Sequence, residues 1–292
     1  MRPFVLLALC LALSGCRAGD DASGLRRALL ELPDEGQDAL ELRAQLALGR
    51  VRLAEAEAGT LFQAEARLPE GMLAPTLEAR TEAGPAGRVA HATLRLDGEE
   101  TSLRELRRGE QAAWTLSFSR RTPLRLALEL GAADAALDFS GVPLERLTLG
   151  SGLARTRVVF AAPNPAVLDT LRVRAGLAAF SAEGLGYARA QTVLFDGGAG
   201  RFRLDFSGTP PRPGARVRAG VGLADLTIVV PDGHPVVVVA PHSSVTSLRL
   251  PEGFVGDGEG RFSSPGTSPA DSSALRVRLG AGPGRIRVQL AR

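Results

Sequence analysis

Three histidines are the side chains in this sequence best suited to metal binding or acid–base catalysis: His91, His234 and His242. His234 and His242 flank one apolar segment, and Asp232 lies nearby, so this stretch carries the residue types of a metal site. A spacing of eight residues places both imidazoles on one face of a strand, but about 27 Å apart at roughly 3.3 Å per residue. The spacing therefore predicts surface histidines, with no bound metal and no cofactor.

A glycine-rich segment raises the question of calcium binding in a β-roll. Such sites require Gly-Gly-x-Gly-x-Asp repeated in register. The sequence matches this pattern only at Gly197, Gly198 and Gly200, and Phe202 occupies the position of the aspartate. Because a phenyl ring offers no oxygen ligand to a hard cation, the pattern predicts no calcium site.

Catalytic signatures are missing from the sequence. It contains no lysine, so all 35 basic residues are arginine, and mechanisms that require a lysine amine are excluded together with the phosphate-binding P-loop. No G-x-S-x-G elbow, G-x-G-x-x-G turn or H-E-x-x-H helix occurs. Acidic pairs such as Glu99 with Glu100 lie in a charged segment, where nothing apolar would favour a protonated acid for catalysis. We therefore expect a protein without enzymatic activity.

The N-terminal segment has the features of a secretion signal. A basic residue precedes an apolar run at positions 4–13, which is too short to span a membrane. The residues LSGC at positions 13–16 resemble the lipobox of bacterial lipoproteins, which implies removal of the signal peptide 1–15 and lipidation of Cys16. An ordinary signal peptide that happens to contain a cysteine is the alternative. With Cys10 removed and Cys16 acylated, no free thiol remains for a disulfide or for catalysis.

A lipid anchor would place the protein at the cell envelope. Two or three acyl chains bury enough methylene groups to hold a protein stably on a bilayer. The residue after the cysteine is Arg17 rather than aspartate, which in a cell with two membranes implies export to the outer one. We therefore expect anchoring on the outer side of the cytoplasmic membrane or on the outer membrane.

The composition indicates a folded chain of modest net charge. Hydrophobic residues make up 45% of the 292 residues and charged residues 23%, which argues against disorder. The isoelectric point near 9.6 overstates the basicity, since 32 acidic residues leave a formal charge of only +3. Nucleic-acid binding typically uses a basic face with stacking aromatics, and aromatics are only 4% of this chain. We expect no nucleic-acid partner.

The hydropathy pattern divides the chain after the signal into four segments. Residues 16–37 are small, polar and charged, and are predicted to form a tether between the lipid and the fold. From 38 to 96 apolar and polar residues alternate, which predicts a smaller N-terminal β unit. Residues 97–112 are charged and lack the alternation, so they are predicted to be a linker. The alternation returns in 113–292, which is predicted to be a repeat domain.

The repeat domain consists of short repeated segments, which we call phrases, in which the alternation of apolar and polar residues stops at a glycine and then resumes. One such unit cannot cover its apolar side alone, so stacked units predict an all-β parallel β-solenoid with a continuous internal column. The interval between the last two interrupting glycines is long and contains the apolar strand HPVVVVAP. Only the segment LRVRLGAGPGRIRVQL restores the pattern. The interrupting glycines occur at positions 131, 150, 176, 198, 220 and 280.

Two features of the phrases concern their polar residues. Segments such as RVR, RFRL and RIRV are predicted to place arginine on the outside, where the simplest interpretation is a solvated face that keeps the stack soluble. The pentamer LDFSG occurs at 137–141 and again at 204–208, which indicates internal duplication. Its aspartates, Asp138 and Asp205, are expected to accept hydrogen bonds at strand corners.

The sequence resembles the toast-rack family of bacterial envelope proteins over residues 38 to about 292. The matching segments are LELRAQLALGRVRLAEAEAGTLFQAEARL, TPLRLALELGAADAALDFSGVPLERLTLGSGLARTRVVF and VRAGVGLADLTIVVPDG. The family is similar to the C-terminal domain of the cell-wall-active antibiotic response proteins and to proposed adhesin head domains. The resemblance implies parallel β-coils stacked in a right-handed sense and, for some relatives, a regulatory or scaffolding role in envelope stress. It supplies no active site.

Two functions fit these features. The first is a non-catalytic interaction scaffold or regulator in envelope maintenance or stress response, held to the membrane by its N-terminal lipid and bound to an envelope protein. The alternative is an adhesin-like binding module for an anionic envelope polymer or glycan, which would use the outward arginines. The scarcity of aromatics counts against a site that stacks on sugar rings.

Overall fold

A computed structural model describes residues 19–20, 25–85, 87–96, 112–240, 246–280 and 282–291. The predicted lipidation site Cys16, the signal segment before it, His242 and residues 97–111 of the predicted linker lie outside this part of the chain. The described residues form an all-β fold with one short helix. Their single helix is neither long nor apolar enough to cross a membrane.

The strands are numbered in chain order. The strands before residue 97 are β1 (Gly19–Asp20), β2 (Leu25–Pro33), β3 (Ala39–Glu55), β4 (Thr60–Pro69), β5 (Thr76–Gly84) and β6 (Gly87–Arg95). The elements that follow are β7 (Ala113–Phe118), β8 (Leu124–Asp138), β9 (Leu144–Ser151), β10 (Arg155–Val159), β11 (Thr170–Glu183), the helix α1 (Leu185–Ala188) and β12 (Thr192–Asp205). The remaining strands are β13 (Arg216–Val221), β14 (Ala224–Val230), β15 (Val236–Val239), β16 (Thr246–Arg249), β17 (Val255–Gly256), β18 (Arg261–Ser263), β19 (Leu275–Leu279) and β20 (Gly284–Leu290).

Each coil of the stack consists of two legs joined by a corner, as β8 illustrates. Its first leg buries Leu126 and Leu128, and its second leg buries Ala135 and Leu137. The alternation of buried and exposed residues breaks at the corner, which begins at Gly131. The two legs face each other across the core, so that in β12 the rings of Phe195 and Phe202 meet edge to face with centroids 5.2 Å apart.

The first legs and the second legs stack into two sheets, which we call the first-leg and second-leg sheets. Pairing is parallel from β3 through the last coils, and antiparallel pairs occur only towards the two ends of the described stack. This arrangement confirms the predicted parallel β-solenoid. The strand order in the first-leg sheet is β5-β6-β3-β8-β9-β11-β12-β13-β19-β15-β18-β17. The order in the second-leg sheet is β1-β2-β4-β7-β3-β8-β10-β11-β12-β14-β20-β16.

Towards the C-terminal end, the stacking order departs from the chain order. The late strands β19 and β20 pair with β13 and β14 on one side and with β15 and β16 on the other. The final phrase therefore continues the repeat directly, and the valine strand β15 lies beyond it. Val236, Val237 and Val238 are fully buried although they are consecutive, which explains why this strand lacks the alternation of the others.

A ladder of glycines forms the corners of successive coils. A Cβ atom added at Gly152, Gly176, Gly198 or Gly222 would lie only 2.7 to 3.1 Å from the carbonyl oxygen of the preceding corner glycine. A side chain would require the neighbouring backbone to shift, which favours glycine at the corners. The ladder consists of Gly131, Gly152, Gly176, Gly198, Gly222 and Gly282.

Three of the glycines that interrupt the sequence pattern are not corner residues. Gly150, Gly220 and Gly280 lie two residues before the ladder, in register with Glu129, Arg174 and Asp196 of other coils. Each lies on the outer face of the first-leg sheet. In the sequence, a glycine at such a position interrupts the alternation in the same way as a corner glycine. The even spacing of the true corners appears only once the strands are paired.

The strands before residue 97 are hydrogen-bonded to the rest of the stack. β3 pairs with β8 along both legs, and β4 and β7 extend the second-leg sheet. One hydrophobic core includes residues from Ala28 to Val288. The predicted division into a unit at 38–96 and a repeat domain at 113–292 stays a prediction, but the strands on both sides belong to one continuous sheet system.

Side-chain hydrogen bonds hold the turns between coils. Asp138 and Asp205 are the last residues of β8 and β12, and each accepts a hydrogen bond 2.9 Å long from the backbone N–H two residues later. This confirms their predicted role where a strand turns. Asn164 is 1% exposed and ties two coils together. Its Oδ1 accepts from the N–H of Leu144 at 3.0 Å, and its Nδ2 donates to the carbonyl of Leu144 at 2.8 Å and to that of Ala188 at 3.4 Å.

Candidate functional site

Four Arg-x-Arg pairs lie on the outer surface of the second-leg sheet. The strands β3, β10, β12 and β20 contribute one pair each, because residues two apart point to the same side of a strand. All eight residues are exposed. We call this surface the arginine face, and its pairs are Arg50/Arg52, Arg155/Arg157, Arg201/Arg203 and Arg285/Arg287.

Strands with small or acidic side chains separate the pairs. Each of β8, β11 and β14 lies between two strands that carry arginine pairs. Because neighbouring strands are about 4.8 Å apart, the pairs recur about every 9.6 Å along the stack. The intervening side chains are Asp134 and Ala136 on β8, Ala179 and Ser181 on β11, and Asp225 and Thr227 on β14.

The small side chains leave two grooves across this surface. A groove of about 550 Å³ runs over Ala179 and Ser181, with arginine pairs from β10 and β12 on its two sides. A second groove of about 480 Å³ runs over Ala136 beside the arginine pair of β3. Both grooves are shallow and open, so they fit an extended ligand rather than an enclosed small molecule.

Each arginine pair contributes one residue to an inner row, closer to the glycine corners, and one to an outer row. The two rows differ in how many hydrogen bonds and ion pairs their guanidinium groups make. The outer row, Arg52, Arg157, Arg203 and Arg287, is mostly tied to neighbours. Arg157 binds both carboxylate oxygens of Glu183 at 3.0 and 2.7 Å, and these hydrogen bonds raise its guanidinium pKa above the ordinary value. Arg203 binds Asp205 at 2.8 Å, and Arg52 donates to Thr115 at 2.8 Å.

The inner row, which lies closer to the glycine corners, has uncommitted guanidinium groups. Within the described part of the chain, none of its four side chains makes an ion pair or a hydrogen bond. An unpaired arginine offers a planar fork of donors that matches carboxylate, phosphate or sulfate oxygens. The inner row consists of Arg50, Arg155, Arg201 and Arg285.

Positive charge is concentrated in the coils from β9 to β14 and in β19 and β20. Residues 144–230 and 275–290 contain fifteen arginines and six carboxylates, a formal charge of +9, so the rest of the chain carries −6 of the total +3. The small net charge of the sequence therefore hides a strongly basic part of the stack. Such a region attracts polyanions over a distance comparable to the Debye length.

The predicted histidine positions do not converge. His91 lies between Glu41 and Glu82, with nitrogen–oxygen distances of 3.5 and 3.8 Å. The Nε2 atom of His234 is buried without a hydrogen-bond partner among the described residues, and burial lowers the pKa of its imidazole, although Asp271 acts in the opposite sense. In the described ranges, no group of three His, Cys, Asp or Glu side chains is placed to hold a metal ion.

The glycine-rich segment at 197–200 is a corner rather than a cation loop. Gly198 belongs to the glycine ladder, and the ring of Phe202 is 2% exposed in the core. The position that a calcium site would give to aspartate thus points into the apolar interior.

The alternation of arginine pairs was not predicted, although a local signal for it exists. The R-x-R segments at 50–52, 155–157, 201–203 and 285–287 follow a corner and therefore lie on the second leg. The segments at 172–174, 216–218 and 276–278 precede a corner and lie on the first-leg sheet. The position of an R-x-R segment relative to the corner glycine thus indicates which sheet carries it.

Comparison with known proteins identifies the family. The model of the N-terminal domain of toast_rack, DUF2154, matches residues 26–181. Among solved structures, a candidate cell adhesion protein from Clostridium sporogenes aligns at 15% identity with a TM-score of 0.43, covering 91% of this chain and 100% of its own. A candidate adhesin from Bacteroides fragilis aligns at 10% identity with a TM-score of 0.44, covering 91% and 98%. No curated protein matches the sequence significantly.

Proposed function

Because the chain belongs to the toast-rack family, we propose that it is a non-catalytic binding module of the bacterial envelope whose arginine face takes up an anionic polymer. The observation that carries the proposal is the regular spacing of arginine pairs with an unpaired inner row. A ligand with repeated negative charges can engage several pairs at once, whereas a single small anion can engage only one.

The chemistry of the face favours a polymer over a protein partner. Binding energy at protein–protein interfaces concentrates in buried aromatic and aliphatic anchors. The outward side chains of the arginine face are arginine, aspartate, alanine, serine and threonine, without an aromatic ring. This composition reverses the order of the two functions suggested by the sequence, and the scaffold role in envelope stress becomes the second candidate.

For the location of the module, the proposal relies on the resemblance of residues 13–16 to a lipobox. Lipidation of Cys16 would attach the stack to a membrane through the short segment that precedes β2, within reach of cell-wall or surface polymers on the outer side. The proposal names carboxylated, phosphorylated or sulfated polymers as a class, because guanidinium groups bind all three kinds of oxyanion.

Binding to model polyanions tests the proposal. The full chain, purified in mild detergent, is titrated with polygalacturonate, dextran sulfate and neutral dextran. We expect binding to the two polyanions that weakens as salt rises, and no binding to dextran. The variant Arg155→Ser/Arg201→Ser/Arg285→Ser should bind at least tenfold more weakly at low salt.

A charge-matched variant on the other sheet is the control. Arg146→Ser/Arg172→Ser/Arg216→Ser removes the same charge from exposed positions of the first-leg sheet. It should lose much less affinity than the inner-row variant. Equal losses in the two variants would mean that binding follows net charge alone, and the arginine face would not be the site.

A further inference from the structure

An apolar ridge runs along the corners of the stack. From Gly152 onward, one residue follows each corner glycine on the outside of the stack, and three of these residues are leucines whose side chains point into solvent. Leu153 is 63% exposed, Leu177 64% and Leu223 72%, which places them among the most exposed large hydrophobic residues of the described chain. We call this feature the corner ridge, and its residues are Leu153, Leu177, Ala199, Leu223 and Pro283.

The backbone forces these side chains outward but does not require them to be leucine. The corner glycines stack backbone on backbone, so the following residue cannot turn into the core. In β11, Gly176 and Leu177 are consecutive exposed residues between the buried Ala175 and Ala178. The same position on the next coil is Ala199, paired in register with Leu177. Three exposed leucines in one line are therefore not explained by folding.

Positive charge borders one side of the ridge. On the five coils from β9/β10 to β19/β20, the position two residues beyond the ridge is arginine three times, at 155, 201 and 285, with Ala179 and Asp225 at the other two. These arginines belong to the unpaired inner row. On the opposite side, the positions three residues before the ridge are Gly150, Arg174, Asp196, Gly220 and Gly280, so Leu153 and Leu223 are bordered there by glycine.

From the ridge and its charged border, we propose that the corner ridge rests on an anionic lipid bilayer, with its leucines in the interface and the inner-row arginines on lipid phosphates. The ridge is about 19 Å long, since it spans four strand spacings of about 4.8 Å. Apolar side chains bordered by basic ones are the composition of segments that lie in the membrane interface. A second copy of the chain fits less well, because a ridge-to-ridge contact would oppose arginines of like charge.

The inner-row arginines enter both proposals, whereas the ridge leucines enter only this one. A stack lying on its corner ridge keeps the outer row of the arginine face and the first-leg sheet accessible. The variant Leu153→Ser/Leu223→Ser should therefore weaken contact with the bilayer and leave polyanion binding unchanged, so that failure of one proposal is distinguishable from failure of the other.

A tryptophan reporter at the ridge tests the contact even if the chain is held to the membrane by its lipid. The full chain with Leu177→Trp is reconstituted into vesicles of equal parts phosphatidylcholine and phosphatidylglycerol that carry a brominated acyl chain. The native Trp114 is 1% exposed in the core and gives a background that the unsubstituted chain measures. We expect a blue shift and quenching of roughly half the reporter emission, because interfacial side chains lie about 5–10 Å into the bilayer.

Leu73→Trp is the matched control, since Leu73 is 60% exposed but lies in the loop between β4 and β5. Its emission should stay unquenched in the same vesicles. Quenching of the ridge reporter should fall at least twofold in pure phosphatidylcholine and with Arg155→Ser/Arg201→Ser/Arg285→Ser. The inference is overturned by an unquenched ridge reporter or by equal quenching at both positions. A blue shift that grows with protein concentration without vesicles would assign the ridge to a second copy and also overturn it.

Discussion

Replacing Gly198 by alanine should destabilise the stack although no side-chain contact is lost. The new Cβ atom would lie 2.8 Å from the carbonyl oxygen of Gly176 and 3.3 Å from its carbonyl carbon, so the corner of β11 or β12 has to move. Overpacking of this kind costs about 1–3 kcal/mol. Alanine also lowers the conformational entropy of the unfolded chain, which stabilises the folded state by about 0.4–1 kcal/mol. The expected net loss in the free energy of unfolding is therefore about 1–2 kcal/mol.

Urea titration at constant pH measures this loss, and Gly84→Ala provides the control. Gly84 has no atom within 4 Å of an added Cβ, so its substitution should leave stability unchanged or slightly raised. Fluorescence of the buried Trp114 and far-UV circular dichroism should be followed together, because a repeat stack can unfold in parts. If Gly198→Ala proved as stable as the unsubstituted chain by both probes, the close stacking of the corners would not constrain this position.

Two further predictions concern polar groups away from the arginine face. Asn164→Leu should cost about 1–3 kcal/mol of unfolding free energy in urea titrations, because it leaves the buried carbonyl of Leu144 without its side-chain donor, and an unchanged midpoint would contradict this. Partial burial lowers the pKa of His234 below that of the unfolded chain, so the unfolded state binds more protons and stability should fall as the pH drops through about 6.5. His234→Gln should flatten the stability profile in that window, and an identical slope in both proteins would remove the histidine from the explanation.

The sequence predicts the fold well because the features that specify the solenoid are local in the sequence. Alternation of Leu126 and Leu128 with polar residues determines which side of a strand is buried, and the corner glycines interrupt that alternation. The aspartates of the two LDFSG segments have a purely local role, since each accepts from a backbone group two residues away. Features of this kind require no knowledge of which strands are neighbours.

The arginine face and the corner ridge could not be predicted in the same way, because both depend on strand register. Arg157 and Arg203 are far apart in sequence, and they border one groove only because β11 lies between their strands with Ala179 and Ser181 facing outward. Leu177 and Leu223 likewise form a line only after the corner glycines are aligned. The glycines at 150, 220 and 280 were predicted to be corners for the same reason. The sequence alone does not distinguish a glycine on an outer face from a glycine at a corner.

The position of β19 and β20 inside the stack affects how the chain can fold as it emerges. The seat of β15 and β16 does not exist until residues 275–290 have been made, because those residues supply the partner strands on both legs. Folding from the first coil onward can therefore proceed as far as β13 and β14. The strand β15 can then pair with β18, which precedes β19 in the chain, but it cannot join the stack until β19 follows. Docking of β15 and β16 onto β19 and β20 is then the last step of assembly, so the buried valines of β15 join the core last.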